Sequence, residues 1–585
     1  MIMSGEKTSG MRTQHAFLVA WGWFAEATGL IQKIETISMH QKTCKHSPQG
    51  KVLEFLVGTL AGMKHLQELS LAAHPLDRDA AVAQAWGQSG WADYSGVSRT
   101  LRALSWEEAR AIVRVLEEIS QPFLEAELQG LGCSGARLQL DGDLTGLPVS
   151  NTSRTYPQAA FGFMDDEIRL GYQAAVVSLA SPTYGRFWLS ATHHPGDTVS
   201  STQAEGLVLE AERRIGQRPQ RRTALLIQRI QDLEPHLQQT QQRLEAQHNA
   251  LQRAQQRLAE TQQQVHDPQT RLQELEAHYQ ARGRKERPTS QLAHDRQHCQ
   301  TLTRRLKRRE NCLQVAQQRL IKTCTQLRIE QAKSVVLQDR LNRFSQDNLT
   351  NQTTLEAEFR LDAGFGAYEN VALLAEMGYE VYTKSPSQGL TDSLKRQVTD
   401  ATLFTRVGAN AEMMAWAQHA LLHSPYPLDL ALERFYTGST LKHSTLLHYG
   451  SDLVTQDLTA WFKHYNGRQL IEAGIKEGKQ VFYLHKIKVR SEPAIYLQEC
   501  CVLFAANFIR WALPWLTQQA QPVRHALDIR TLGIKRQVQV AAHVSALVIR
   551  NSEGRFLRFS KQSAFAGKVL RLKVAVTSQL PAGNP

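Results

Sequence analysis

Apolar residues recur at helical spacing through the first part of the chain, in segments 17–31, 51–69 and 105–128. Apolar positions three and four residues apart predict amphipathic helices. Ser105 followed by Glu108 is the signature of a capping box and marks the start of the third helix. The intervening stretches 40–50 and 87–98 read as loops. We expect residues 1–130 to form an all-helical N-terminal domain, with DNA binding as one candidate role.

Strand-like alternation replaces the helical period after residue 137, in segments 136–150, 169–181 and 184–197. The last two are joined by the turn "PTYG", and a helical pattern resumes near Ser201. Three strands followed by a helix predict the first part of an α/β core over residues 131–215.

A seven-residue repeat of mainly apolar residues then runs through two long segments. Its positions are Ile230, Leu237, Leu244, Leu251, Leu258, Val265, Leu272 and Tyr279, and then Leu292, Cys299, Leu306, Leu313, Leu320, Leu327, Ser334 and Leu341. This repeat with polar flanks predicts a coiled coil. Gly283 and Pro288 predict a turn between the arms, and hence an antiparallel hairpin over residues 216–349. Pro235 and Pro268 are expected to kink or break the first arm.

The α/β pattern returns after the hairpin. Segment 358–387 reads as strand, glycine turn, helix and strand, with Asp362 at the end of its first strand. A helix is expected over about 457–478, and a second, apolar helix over 494–513. Residues 535–560 alternate as strands around the turn "NSEG". The remaining regions are a second part of the core over 350–400, a β-rich insertion over 401–456, a last part of the core over 457–515 and a basic β-rich C-terminal region over 516–585.

Charge changes the picture of the C-terminal part. The 585-residue chain carries a formal charge of +13, and residues 480–585 hold 15 Lys and Arg against 4 Asp and Glu. Such an excess suits a polyanionic partner. The seven cysteines form no CxxC pair. Without a run of about 18 apolar residues or a signal-peptide pattern, we expect a cytoplasmic protein with no membrane association.

The stretch "YNGRQLIEAGIKEGK" holds the densest candidate chemistry. Tyr465, Arg468, Glu472 and Lys479 are three, four and seven residues apart, which brings all four to one face of a helix. Such a face makes a poor core but a suitable wall for metal and phosphate.

Two earlier aspartate segments supply further acids. Asp143 and Asp362 are predicted at strand ends, and Glu472 on a helix. Three carboxylates that converge can hold a pair of Mg²⁺ ions, which stabilise an in-line displacement at phosphorus. Asp141 is the alternative first acid, because residues 141 and 143 point to the same face of one strand.

The spacing Tyr-x2-Arg-x3-Glu-x6-Lys, together with "LDGDLTGLP" and "RLDAGFGAYENVALLAEMGYEV", resembles the DDE transposases of the insertion-sequence-four family. The resemblance covers roughly residues 130–215 and 350–515, and it implies an RNase H-like (retroviral integrase-like) α/β catalytic core. The coiled-coil hairpin departs from the family pattern, because it lies between the two aspartates, where relatives have a short connection. The β-rich insertion before the glutamate is expected in the family.

The resemblance implies a cut-and-paste transposase. It would bind double-stranded DNA at the terminal inverted repeats, cleave there with two Mg²⁺ ions (or Mn²⁺), and join the freed ends to target DNA. Asp143, Asp362 and Glu472 would hold the metals, while Tyr465, Arg468 and Lys479 would contact DNA phosphates. The resemblance also implies a homodimer that pairs two transposon ends. It further implies a nucleoid-associated location in a prokaryotic cell.

Two other functional classes stay open on the sequence. A transposase-derived DNA-binding or architectural protein would use the coiled coil without catalysis. A metal-dependent nuclease would need the same acids but would not join strands. The hairpin itself has two candidate uses, dimerisation or contact with DNA through its basic tip.

Overall fold

The computed structural model describes residues 10–42, 45–352, 355–399, 403–520, 524–552 and 554–572. The chain forms two compact units. The core unit comprises residues 1–220 and 351–585, and the hairpin unit comprises residues 221–350.

Fourteen strands are found in the described residues. They are β1 (Met11–Thr13), β2 (Leu138–Pro148), β3 (Ala160–Met164), β4 (Glu167–Ser181), β5 (Gly185–Pro195), β6 (Ala357–Leu361), β7 (Glu380–Lys384), β8 (Thr405–Arg406), β9 (Ala411–His419), β10 (Leu428–Thr437), β11 (Thr440–Tyr449), β12 (Ala546–Asn551), β13 (Gly554–Phe559) and β14 (Val569–Leu572).

The α-helices before the hairpin are α1 (Ala16–Ala27), α2 (Leu30–Glu35), α3 (Pro48–Leu60), α4 (Glu68–Leu71), α5 (Ala80–Ala85), α6 (Tyr94–Arg102), α7 (Trp106–Cys133) and α8 (Ala204–Ile215). The others are α9 (Thr223–Ala281), α10 (Gln291–Thr350), α11 (Tyr368–Glu376), α12 (Gln388–Gln397), α13 (Leu458–Asn466), α14 (Gln469–Gln480), α15 (Glu492–Gln519) and α16 (Ile534–Gln539).

One mixed sheet of ten strands organises the core unit. Its order is β3-β4-β2-β6-β7-β11-β10-β9-β8, with β5 also paired to β4. Strands β2, β6 and β7 are parallel to one another, and the other neighbours are antiparallel. The expected α/β architecture is therefore confirmed. The β-rich segment extends the same sheet, because β11 pairs with β7.

Helices cover the sheet and join the two ends of the sequence. Helices α8 and α15 pack on β5, α11 packs on β7, and α14 packs on β2. The N-terminal helices α1, α3 and α7 pack on α15. Strand β1 joins β12, β13 and β14 in a second sheet of four strands. Residues 1–130 are therefore not all helical, because β1 lies among them, and the N-terminal helices share their core with the C-terminal region.

Helix α15 is the one described helix that is long and apolar enough to cross a membrane. Its most apolar window has a mean hydropathy of 1.3, and 67% of that window is buried inside the fold. Burial against the sheet and the N-terminal helices explains why a core helix needs this composition.

The hairpin unit consists of α9 and α10, which are 59 and 60 residues long and therefore span about 90 Å each. Their pairing is antiparallel. Near the turn, Cys299 Sγ lies 3.3 Å from the Pro268 carbonyl oxygen, and at the other end Arg221 Nε is 2.9 Å from Asp347 Oδ2. Helix α9 continues through both internal prolines, so the expected break in the first arm is absent.

Further expectations about local structure are wrong. Segment 87–98 is not all loop, because α6 begins at Tyr94, where the Asp93 side chain accepts a hydrogen bond from the Gly96 N–H. Segment 535–560 is not all strand, since its first part forms α16, which buries Val538. Strand β3 was not expected. Short apolar runs fit either period, and tertiary packing decides between them.

Candidate active site

Parallel pairing of β2 and β6 brings two aspartates together. The register pairs Gly142 with Leu361, so the next residues, Asp143 and Asp362, lie side by side on neighbouring strands. Asp362 directly follows β6, as expected. Asp143 does not end its strand, because β2 continues to Pro148 through its pairing with β4. The sequence turn signals at residues 146–148 suggested an earlier end.

The predicted single helix is two helices joined by a tight turn. Gly467 and Arg468 separate α13 from α14 but keep helical backbone angles. The Arg468 N–H donates to the Tyr465 carbonyl at 3.1 Å, and the Ile471 N–H to the Arg468 carbonyl at 2.9 Å. These i to i+3 bonds wind the chain more tightly than an α-helix. As a result Tyr465 is only 5% exposed, whereas the Glu472 side chain is 53% exposed.

Arg468 links the first and third predicted acids. Its Nη1 lies 3.5 Å from Asp143 Oδ2, and its Nη2 donates to Glu472 Oε1. The Arg468 side chain is only 12% exposed. The guanidinium therefore offsets part of the negative charge of Asp143 and Glu472.

Burial shifts the two aspartates, Asp143 and Asp362, toward their protonated forms. It raises the pKa of Asp143 to about 6, an effect that the Arg468 charge opposes and that Asp362 and Glu472 reinforce. Burial likewise raises the pKa of Asp362. The Oδ1 atom of Asp362 is buried and has no hydrogen-bond partner among the described residues. A buried carboxylate oxygen without a donor, next to two further carboxylates, is a donor set that fits hard divalent cations.

Asp141 faces a different partner. Its two carboxylate oxygens accept hydrogen bonds from Arg360 Nε at 2.8 Å and Nη2 at 2.9 Å, and both side chains are buried. Arg360 Nη1 also donates to the His464 carbonyl at 3.0 Å. This paired fork holds β2, β6 and the end of α13 together. Of the two alternative first acids, Asp143 is therefore the one that lies with the other acids.

Tyr465 packs beneath the acids and contacts the end of β6. Its hydroxyl donates to the Leu361 carbonyl at 3.2 Å, directly before Asp362. Its ring lies in a buried cluster with Tyr382 and Trp461, and burial raises the pKa of its hydroxyl. The phosphate contact predicted for Tyr465 does not agree with this arrangement, because the hydroxyl is buried and already bonded. The tyrosine fixes the end of β6 instead.

Lys479 lies two helical turns beyond Glu472, near the surface. Its Nζ is 3.3 Å from Asp165 Oδ1, in the turn between β3 and β4. The Lys479 side chain is 22% exposed. It can therefore reach a ligand at the rim, but it does not join the cluster of acids.

A second group of side chains with metal-binding chemistry was not predicted. Ligand atoms of Glu380, His448 and Asp452 lie within 4.8 Å of one another, which no other group of three or more in the described chain achieves. Arg137 Nη1 already lies 2.8 Å from both Glu380 Oε2 and Asp452 Oδ2. These residues come from β7, β11 and the following loop, at spacings that carry no motif. The three acids predicted from the sequence do not form a group this close in the described chain.

Comparison with models of known protein families gave no match, and comparison with curated proteins also gave no match.

Proposed function

We propose that the protein is a DDE transposase that cleaves DNA at transposon ends and joins those ends to target DNA, with Asp143, Asp362 and Glu472 as its metal ligands. One observation carries the proposal. The register of β2 and β6 puts the two aspartates side by side, and Arg468 connects Asp143 to Glu472. Residues 325 positions apart in the sequence thus converge at one edge of a parallel strand pair.

The fold is consistent with an RNase H-like core. Chain order runs from the strand of Asp143 through β4, β5 and α8 to the strand of Asp362, then through α11 and β7 to the helix of Glu472. This is the order that the proposed core requires, with β3, the hairpin and the elements from α12 to α13 as additions. The double-stranded DNA partner, the homodimer and the nucleoid location belong to the same proposal and rest on the family resemblance.

In the proposed reaction, the acids and the basic residues of the site have different roles. Divalent metal ions bound by the three acids would supply charge stabilisation for attack on a DNA phosphate. Asp362 offers the oxygen without a donor, and Asp143 must lose its proton for full metal affinity. If cations bind the acids in place of Arg468, the N–H donors of the Arg468 guanidinium become available for a phosphate. Lys479 provides a point charge at the rim.

The test incubates the protein with a labelled duplex that carries the element's own end and flank, with Mg²⁺ or with EDTA. Glu472→Gln is the active-site variant. Glu107→Gln is its matched control, because Glu107 is an exposed glutamate at the start of α7. We expect nicking at the end and joining to a plasmid, lost with EDTA and in Glu472→Gln but retained in Glu107→Gln.

Other results would overturn the proposal in distinct ways. Metal-dependent cutting without joining would indicate a nuclease. Tight binding without cutting under any condition would indicate a transposase-derived DNA-binding protein. Equal cutting by both variants would exclude Glu472 from the site.

A further inference from the structure

A basic groove of about 730 Å³ lies at the far end of β2. Its floor is the end of β2 and the following residues 149–150, and its walls come from the loop 485–490 and from the N-terminal helical region at His65 and Tyr94. Four cationic side chains line it, namely Arg169, Lys486, Lys488 and Arg490. The one carboxylate in the lining belongs to Asp165, which is paired with Lys479.

Lys488 is a cation without a paired acid in this groove. Its Nζ contacts only the carbonyl oxygens of Tyr483 at 3.4 Å and Lys486 at 3.5 Å, and no carboxylate of the described chain lies within 4 Å. Burial lowers the pKa of Lys488 to about 8. An anion that entered the groove would offset the cost of this buried charge.

A buried amide holds the Lys488 loop in place. Gln498 Oε1 on α15 accepts from the Lys488 N–H at 3.0 Å, while its Nε2 donates to the carbonyls of Leu484 and Lys486, both at 3.0 Å. Gln498 is 2% exposed. The lysine is therefore carried on a fixed backbone, which lowers the entropy cost of binding.

Arg490, on the same loop, is preorganised in a similar way. Its guanidinium carbon lies 4.9 Å from the ring centroid of Tyr156, and its Nη1 donates to Thr155 Oγ1 at 2.7 Å. A stacked guanidinium keeps its remaining N–H donors for a phosphate.

We propose that this groove binds the phosphodiester backbone of the DNA strand that leads to the catalytic acids, with Lys488 and Arg490 as phosphate contacts. This inference rests on the proposed function. Asp143 and Pro148 are five residues apart on β2, or about 17 Å. One strand of DNA carries a phosphate about every 3.4 Å along the helix axis. The groove therefore contacts phosphates a few positions along the same strand from the one that reacts.

Salt dependence of binding tests the contacts. Fluorescence anisotropy with a 30-base-pair duplex, between about 50 and 200 mM salt, compares wild type with the double variant Lys488→Met and Arg490→Gln. We expect affinity to fall about tenfold or more at the low-salt end, and the slope of log K against log salt to shrink by about two. The single variant Lys488→Arg retains the charge, so its salt slope should lie close to that of wild type.

The matched control is the double variant Arg114→Gln and Arg396→Gln, which removes two exposed basic residues of α7 and α12, outside the groove and outside the basic C-terminal region. Circular dichroism verifies that every variant is folded. Equal affinity and equal slope in the groove variant and in wild type would overturn the groove proposal.

Methylphosphonate substitution of single phosphates locates the contact. Each neutral phosphate removes one charge from the duplex, and we expect the strongest loss of binding at adjacent phosphates of one strand, a few positions from the cleavage point, an effect absent in the groove variant. Interference spread evenly along the duplex would overturn the groove proposal. If wild type never cuts, the contact is mapped from the duplex end, and groove-dependent binding would then stand while the transposase proposal fails.

Discussion

At the scale of single residues, Asp141 and Asp143 differ in their ion-pair partners, although the sequence presents them as equivalent candidates. Asp141 and Asp143 share one face of β2, yet Asp141 is engaged by both donors of the Arg360 fork, whereas Asp143 receives Arg468 at 3.5 Å. A buried bidentate ion pair is a structural element, and a carboxylate held by a longer contact remains open to a metal.

This difference predicts opposite effects of the same substitution. Burial raises the pKa of Asp141 as well. Asp141→Asn, however, leaves the Arg360 charge buried without its bidentate partner and should lower the free energy of unfolding by about 3 kcal/mol. Asp143→Asn removes a carboxylate whose pKa lies near 6 instead of 3.8, so it should raise the free energy of unfolding at pH 7. Urea unfolding measures both. The gain from Asp143→Asn should shrink as the pH falls from 6 and vanish below 3.8, where the wild-type carboxyl is protonated in both states.

Glu54 on α3 provides a second, pH-dependent test away from the acids. It is fully buried, it accepts one hydrogen bond from the Ala92 N–H at 2.9 Å, and burial raises its pKa to about 8. Because the folded pKa lies above the unfolded value of 4.5, stability is lost as the pH rises from 4.5 to 8.

Glu54→Gln should therefore raise the free energy of unfolding by about 3 kcal/mol at pH 7 and by less than about 1 kcal/mol at pH 5. Urea midpoints measured at both pH values check this. Glu107→Gln, on the exposed start of α7, should show no such difference between the two pH values. A gain from Glu54→Gln that is equal at both would contradict the assignment of a raised pKa.

At the scale of elements, α14 depends on one close approach to β5. A side chain at Gly474 would overlap the guanidinium of Arg186, which donates to the Leu470 carbonyl and lies 3.5 Å from Glu477. Arg186 is itself buried against Trp188, with its guanidinium carbon 4.8 Å from that ring. The missing β-carbon allows the helix of Glu472 to lie against the sheet.

Gly474→Ala should therefore lower both stability and the DNA cleavage rate, because Arg186 or α14 must move, at a cost of about 1–3 kcal/mol. Gly478→Ala is the matched control on the same helix. Its new β-carbon would meet Val502 and Leu484 at 3.6–4.0 Å, which is ordinary contact, so helix propensity should stabilise it by about 1 kcal/mol. Thermal unfolding and the cleavage assay distinguish the two. Equal behaviour of the two alanines would contradict the close approach.

Elements with a sustained period could be predicted from the sequence, and those shaped by distant contacts could not. The heptads of α9 and α10, the alternation of β2 and the β6–α11–β7 unit all match the structure. The pairing of β1 with β12 joins residues more than 500 positions apart, and no local pattern signals it. The same limit applies to the site. The order of the acids along the chain could be predicted from the sequence. The ion pair between Asp141 and Arg360 and the burial of Tyr465 could not, because both depend on packing.

At the scale of the whole molecule, the chain contains a unit that can be removed in one piece. The hairpin unit begins at Arg221 and ends at Thr350. The residues that flank it lie close together in the core unit, since Asn351 Nδ2 donates to the Arg218 carbonyl at 3.0 Å. An insertion whose ends meet can be excised without stretching the remaining chain.

We therefore expect a variant with residues 221–350 replaced by a short Gly-Ser linker to fold as the core unit. Circular dichroism should show loss of helix with retention of cooperative thermal unfolding, because the sheet and its covering helices all belong to the core unit. Collapse to an aggregated or non-cooperative state would show that the hairpin is needed for folding.

Light scattering on the same variant decides what the hairpin does. Two transposon ends must be held together, so a dimer is the expected form of the full chain in the proposed function. If the excised variant is a monomer that still binds a duplex, the hairpin carries dimerisation. If the variant without the hairpin is still a dimer but binds DNA more weakly, the basic apex at residues 282–287 contacts DNA. The second result would then be repeated with Arg284→Gln and Lys285→Gln in the full chain, where a smaller salt slope should reproduce the loss.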